Sequence, residues 1–66
     1  MLSKKIKALR KEKGLSQEKL AQQADVTYST LVKIESGINI NPTLDTLQKL
    51  AEVFGVSIDE LVGRKG

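Results

Sequence analysis

The apolar residues of this 66-residue chain recur at intervals of three and four positions and nowhere alternate for long with period two. That periodicity predicts helices and gives no sign of strands. A chain of this length makes one domain and buries only about 60% of its extended surface, so its stability is marginal. It has no cysteine, so no disulfide supplements the core. The helices must therefore bury one another. The lack of both Cys and His also removes chemistry. Thiolate and imidazole metal sites are excluded, as are nucleophile–His pairs. The carboxylates Asp45, Glu52, Asp59 and Glu60 fall at helix starts or on polar faces, where capping and solubility explain them. No enzyme activity, metal, cofactor or small-molecule ligand is expected. No apolar run approaches the ~18 residues of a membrane span. The basic N-terminus is not followed by a signal peptide's apolar stretch. A cytoplasmic protein is expected.

The segments read in order. Leu2, Ile6 and Leu9 form one stripe on a first helix over about 3–13, with Lys4, Lys7 and Lys11 on the opposite face and Arg10 at the stripe's border. Gly14 ends it. Ser16 caps a second helix reaching about Ala24, with Glu18 in its first turn and Leu20, Ala21 and Ala24 inward. Thr27 caps a third helix over 28–36, with Leu31 and Ile34 inward and Gly37 closing it. Residues 37–42 form a loop ending in Pro42. Thr43 caps a fourth helix, whose Leu44, Leu47, Leu50, Ala51 and Phe54 make a stripe, and Gly55 stops it. Ser57 with Glu60 reads as a capping box, and Val56 with Leu61 as a hydrophobic staple, for a short fifth helix over 58–62. Residues 63–66 read as a tail. The prediction is all-α, a compact five-helix domain.

Helices two and three, at about 16–36, satisfy the demands of a helix-turn-helix. Close crossing needs a small residue in the first helix, and Ala21 is there. The inner positions Leu20, Ala24, Val26, Leu31 and Ile34 are all apolar. The turn needs a residue that tolerates a left-handed backbone, and Asp25 does, though less well than Gly. Charge points the same way. Residues 1–13 carry a net +5, while 14–35 and 36–66 each carry −1. Positive charge at one end suits a polyanion such as nucleic acid.

Three stretches carry a resemblance to the phage repressor and Cro family of helix-turn-helix domains. They are residues 6–21, with Gly14-Leu15-Ser16-Gln17, residues 26–37, ending in Ile34-Glu35-Ser36-Gly37, and residues 42–61, with Phe54-Gly55-Val56-Ser57. The resemblance covers nearly the whole chain and implies a single lambda-repressor-like domain over 1–66. It also implies a sequence-specific double-stranded DNA-binding transcriptional regulator, a repressor, dimeric on a two-fold operator, with its third helix in the major groove. Two positions depart from the family pattern. Asp25 stands where Gly is usual, and Val32 where a polar residue is usual.

The direction of Leu31 and Ile34 fixes the far side of helix three. Tyr28, Ser29, Val32 and Lys33 are the expected base-contacting residues, with Lys33 suited to guanine O6 or N7 and Val32 to a thymine methyl. Gln17 opens helix two, where free N–H groups favour an anion, and in the resembling family this position clamps a phosphate. Thr27, Thr30, Ser36 and Arg10 are further expected phosphate contacts. In the family, Arg10 and Glu35 occupy positions joined as a semi-buried ion pair. Ile38 and Ile40 are unusual in an Asn-rich loop. Either one of them plugs the loop onto the core, or they form the self-complementary contact of a homodimer, a surface Val53 can join. The rival function is a protein-interaction module or antitoxin-like domain that uses the Tyr28–Lys33 face for a protein.

Overall fold

The computed structural model describes residues 2–39 and 41–63. They form five α-helices, α1 (Leu2–Glu12), α2 (Gln17–Ala24), α3 (Tyr28–Glu35), α4 (Leu44–Phe54) and α5 (Ile58–Leu61). No strand occurs among the described residues. Ile40 and the last three tail positions lie outside them.

Four of the helices begin the same way. The hydroxyls of Ser16, Thr27, Thr43 and Ser57 accept the N–H of Lys19, Thr30, Thr46 and Glu60 at 3.1, 3.1, 3.2 and 3.1 Å. Each cap satisfies an otherwise orphaned donor, and its loss costs about 1 kcal/mol. At Ser57 this is the first bond of the expected box.

Three helices also end alike. Leu15, Val26 and Val56 each donate their N–H five residues back, to the carbonyls of Arg10, Ala21 and Ala51, at 3.1, 3.0 and 3.1 Å. This wrap needs a left-handed residue just before the donor. Gly14, Asp25 and Gly55 supply it, with φ of 67°, 57° and 68°. Asp25 is the one described non-glycine residue with positive φ. The apolar residue after each left-handed position then folds back onto the core.

That core holds Ile6, Leu20, Leu31, Ile34, Leu50 and Leu61 with almost no exposure, together with Ala21, Ala24, Ala51 and Phe54. It draws on every helix. α3 packs against α1 and α2, α2 against α4, α4 against α5, and α5 returns to α1. One expected core residue departs. Leu44 is 64% exposed. It is the first residue of α4, and burial deepens along that helix: Leu47 is half-buried, and Leu50, Ala51 and Phe54 are closed off. Ser36 and Val62 fall just outside their helices, as C-caps.

The left-handed turn gives a stability prediction. Asp25→Val places a β-branched residue at positive φ and is expected to cost about 1–2 kcal/mol. For a domain of this size the melting temperature falls by about 4–8 °C per kcal/mol. Asp25→Gly is expected to melt at or above the parent. Circular-dichroism melts of both variants check this, and a Val variant that melts with the parent contradicts it.

Candidate nucleic-acid interface

α3 is divided lengthwise. Leu31, Ile34 and Glu35 are buried on one side. On the other, Tyr28 is 49% exposed, Ser29 and Lys33 are exposed, and Val32 is half-buried. The spacing i, i+1, i+4, i+5 brings these four onto one strip. Lys33 forms no ion pair among the described residues. The strip therefore presents a free ammonium, a phenol, a hydroxyl and an isopropyl group. These are groups able to meet base edges and a thymine methyl.

The buried side of α3 is held by a polar bracket. The Glu35 side chain is only 1% exposed. Arg10 donates to it twice, Nε to Oε2 at 2.9 Å and Nη2 to Oε1 at 3.1 Å. The third guanidinium nitrogen, Nη1, donates to the Leu15 carbonyl at 2.8 Å. Gln17 Nε2 donates to Glu35 Oε1 at 3.2 Å. One carboxylate thus ties the end of α1 and the start of α2 to the last turn of α3. No buried side-chain polar atom among the described residues lacks a partner. A bidentate pair this complete is what a buried ion pair requires to offset its desolvation.

The bracket changes how an anion can be met. One amide hydrogen of Gln17 is committed to Glu35, but a primary amide nitrogen has two. The second, together with the first backbone N–H groups of α2, forms a donor set at a positive helix end. The hydroxyls differ in the same way. Thr27 donates to Thr30 Oγ1 at 2.6 Å and accepts the Thr30 N–H, so its proton is used internally. Ser36 Oγ donates to the Lys33 carbonyl at 3.0 Å. Thr30 alone of the three keeps an uncommitted hydroxyl proton. A phosphate on Thr27 or Ser36 must replace an existing bond.

Two of the three remaining candidates lie among the described residues. Ile38 is 76% exposed in the loop, so it does not plug the loop onto the core. Val53 is half-buried and packs on the core at the edge of an open depression lined by Gln23, Ala24, Asp25, Lys49, Glu52 and itself. The position of Ile40 lies outside the described residues. Sequence reasoning missed the Leu15 carbonyl, since a backbone acceptor leaves no mark on residue type. It also missed the clip made by Lys49, whose Nζ lies 3.2 Å from Asp45 Oδ2 and donates to the Asp25 carbonyl at 3.4 Å. The i, i+4 spacing of Asp45 and Lys49 was the readable half of that signal.

The helix-turn-helix family model matches residues 6–61, from the first core residue of α1 to the last of α5. The chain belongs to the helix-turn-helix family. Within it, the domain is of the phage repressor and Cro type. It is 40% identical over 65 residues to the HTH-type transcriptional regulator SinR of Bacillus subtilis, covering 98% of this chain and 59% of that protein. It is 44% identical over 62 residues to the cryptic phage CTXphi transcriptional repressor RstR of Vibrio cholerae, covering 94% of this chain and 55% of that one. The chain thus spans little more than half the length of these curated relatives. The crystal structure of the master regulator for biofilm formation SinR in complex with DNA matches with a TM-score of 0.90 at 40% identity, over 94% of this chain and 98% of that one.

The bracket is testable as a thermodynamic cycle. Arg10→Met strands a buried carboxylate and is expected to cost about 3–5 kcal/mol. Arg10→Met with Glu35→Leu is expected to be more stable than Arg10→Met alone, because no charge is then buried unpaired. Urea denaturation of both singles and the double measures the coupling. Additive costs would show that the two residues act independently.

Proposed function

We propose that this helix-turn-helix domain is a sequence-specific double-stranded DNA-binding transcriptional regulator, a repressor that lays α3 in the major groove of a two-fold operator. The observation that carries the reading is the division of α3. Its inner side is locked by core and bracket, and its outer strip of Tyr28, Ser29, Val32 and Lys33 is left available. A rigid helix with an unpaired cation on its outer face is suited to reading base edges. The DNA complex of SinR and the repressor relatives support the same assignment.

In this reading Lys33 donates to guanine, Val32 meets a thymine methyl, and Tyr28 and Ser29 complete the base contacts. The start of α2 at Gln17, with Thr30 and the two N–H groups of Arg10 that the bracket leaves over, grips phosphates. Thr27 and Ser36 contribute by turning their hydroxyl protons from their internal bonds to a phosphate. The chain acts as a homodimer, with Ile38, Ile40 and Val53 as the proposed contact, and works on DNA in the cytoplasm. No helix among the described residues is long and apolar enough to cross a membrane.

Selection from a randomised duplex pool tests the whole reading. The expected product is an inverted repeat whose half-sites lie about one helical turn apart. No enrichment by folded protein would overturn operator recognition and turn attention to a protein partner for the α3 strip. Within an enriched site, Lys33→Ala is expected to cost about 1–3 kcal/mol at one base pair and to relax preference there alone. Ile38→Asp is expected to weaken binding to the inverted repeat while leaving single half-site affinity intact. Equal loss on both would remove Ile38 from the dimer contact.

A further inference from the structure

The bracket holds the last turn of α3. Its first turn depends on the segment that joins it to α2. Val26 of that segment packs on the core and Thr27 caps α3, so the direction the backbone takes at Asp25 sets where α3 begins. Two features of Asp25 work against this turn. Its φ of 57° is one that a non-glycine residue rarely adopts. Its carboxylate stands at the C-terminal end of α2, where the macrodipole is negative and an anion is disfavoured. The last turn of α2 holds no basic residue to offset either.

The missing cation comes from α4. Lys49 Nζ donates to the Asp25 carbonyl at 3.4 Å, lies 4.0 Å from Asp25 Oδ2 and is paired with Asp45 Oδ2 at 3.2 Å. An ammonium carries three N–H donors, and three oxygen atoms surround this one. Asp45, one turn earlier on α4, holds the lysine stem on the side of α2. An isolated exposed ion pair contributes little. The Lys49 contact differs because one of its acceptors is a backbone carbonyl, which cannot swing away as a side chain can. α4 packs mainly on α2 and α5. Among the described residues, Lys49 makes the one side-chain hydrogen bond that joins α4 to the turn before α3.

We infer that Lys49 is a positioning residue for DNA reading. By holding the Asp25 carbonyl it fixes the angle between α2 and α3. That angle decides whether Gln17 can meet a phosphate while Tyr28 and Lys33 meet base edges. Lys49 itself touches no DNA and acts through the turn. The inference rests on the proposed DNA-binding function and adds to it a determinant of specificity that lies outside the α3 strip.

The test compares the parent with Lys49→Met, which keeps an unbranched stem and removes the ammonium, and with Lys49→Arg, which keeps a cation. Fluorescence anisotropy titrations use the pool-selected duplex and a random-sequence duplex across a salt series, well below the melting temperature of each protein. Losing a cation at a helix C-terminus shifts an equilibrium about two- to fivefold. The affinity of Lys49→Met for the selected duplex should fall by up to that factor, as the fraction of molecules holding the required angle falls. Its affinity for the random duplex should match the parent's. Its salt slope should be unchanged, because no phosphate contact is lost. Lys49→Arg should restore the selected-duplex affinity. Equal affinity of parent and Lys49→Met for the selected duplex overturns the inference and leaves operator recognition standing. Weaker binding of both duplexes with a shallower salt slope makes Lys49 a direct phosphate contact and also overturns it. So does a loss that Lys49→Arg fails to restore, or one confined to temperatures at which circular dichroism shows Lys49→Met melting. A parent with no sequence preference overturns operator recognition and the positioning role together.

Discussion

Everything in this domain is referred to the Glu35 carboxylate. It is the one buried charge among the described residues, and it sits on the helix whose orientation matters most. Arg10 reaches it from α1 and Gln17 from α2, so three helices meet at two oxygen atoms. Apolar packing alone lets a short helix roll, because hydrophobic contact is non-directional. Hydrogen bonds with fixed geometry do not permit this. The guanidinium plane prescribes where α3 stands relative to α1, and its third nitrogen carries the prescription into the chain at Leu15.

Around that point the fold is assembled from repeated local devices. A hydroxyl cap opens four helices, and a left-handed residue followed by an inward apolar one closes three. These devices matter because helices of four to eleven residues do not persist alone in water. Caps stop the chain at defined points, and the apolar residue behind each turn anchors the next segment. The price of specificity is visible at Asp25, where an aspartate adopts a backbone shape more natural to glycine.

Much of this was legible in the residues. Ser16, Thr27, Thr43 and Ser57 announce helix starts because a cap is a local bond between neighbours. Gly14 and Gly55 announce ends for the same reason, and the three-and-four spacing identifies nearly all of the core. Asp25 was readable as the turn residue because few side chains tolerate positive φ. What escaped depends on distance or on backbone atoms. Leu44 lies on the right angular face but too far toward the end of α4 to be covered, and angle alone cannot report depth. The protons of Thr27 and Ser36 are committed to partners that residue type does not reveal. The strip on α3 was legible because two buried residues fix the rotation of a helix, and the opposite side follows.

The lengthwise split of α3 carries a consequence for how such a protein can diverge. The residues that bear architecture and those that face outward share one helix but lie on different sides of it. Substitution at Ser29 or Lys33 disturbs no packed neighbour, whereas substitution at Glu35 disturbs three segments at once. Exchange at Ser29 and Lys33 is therefore nearly free of folding consequences. Exchanges confined to that part of the strip can alter what α3 presents without unsettling the scaffold that holds it.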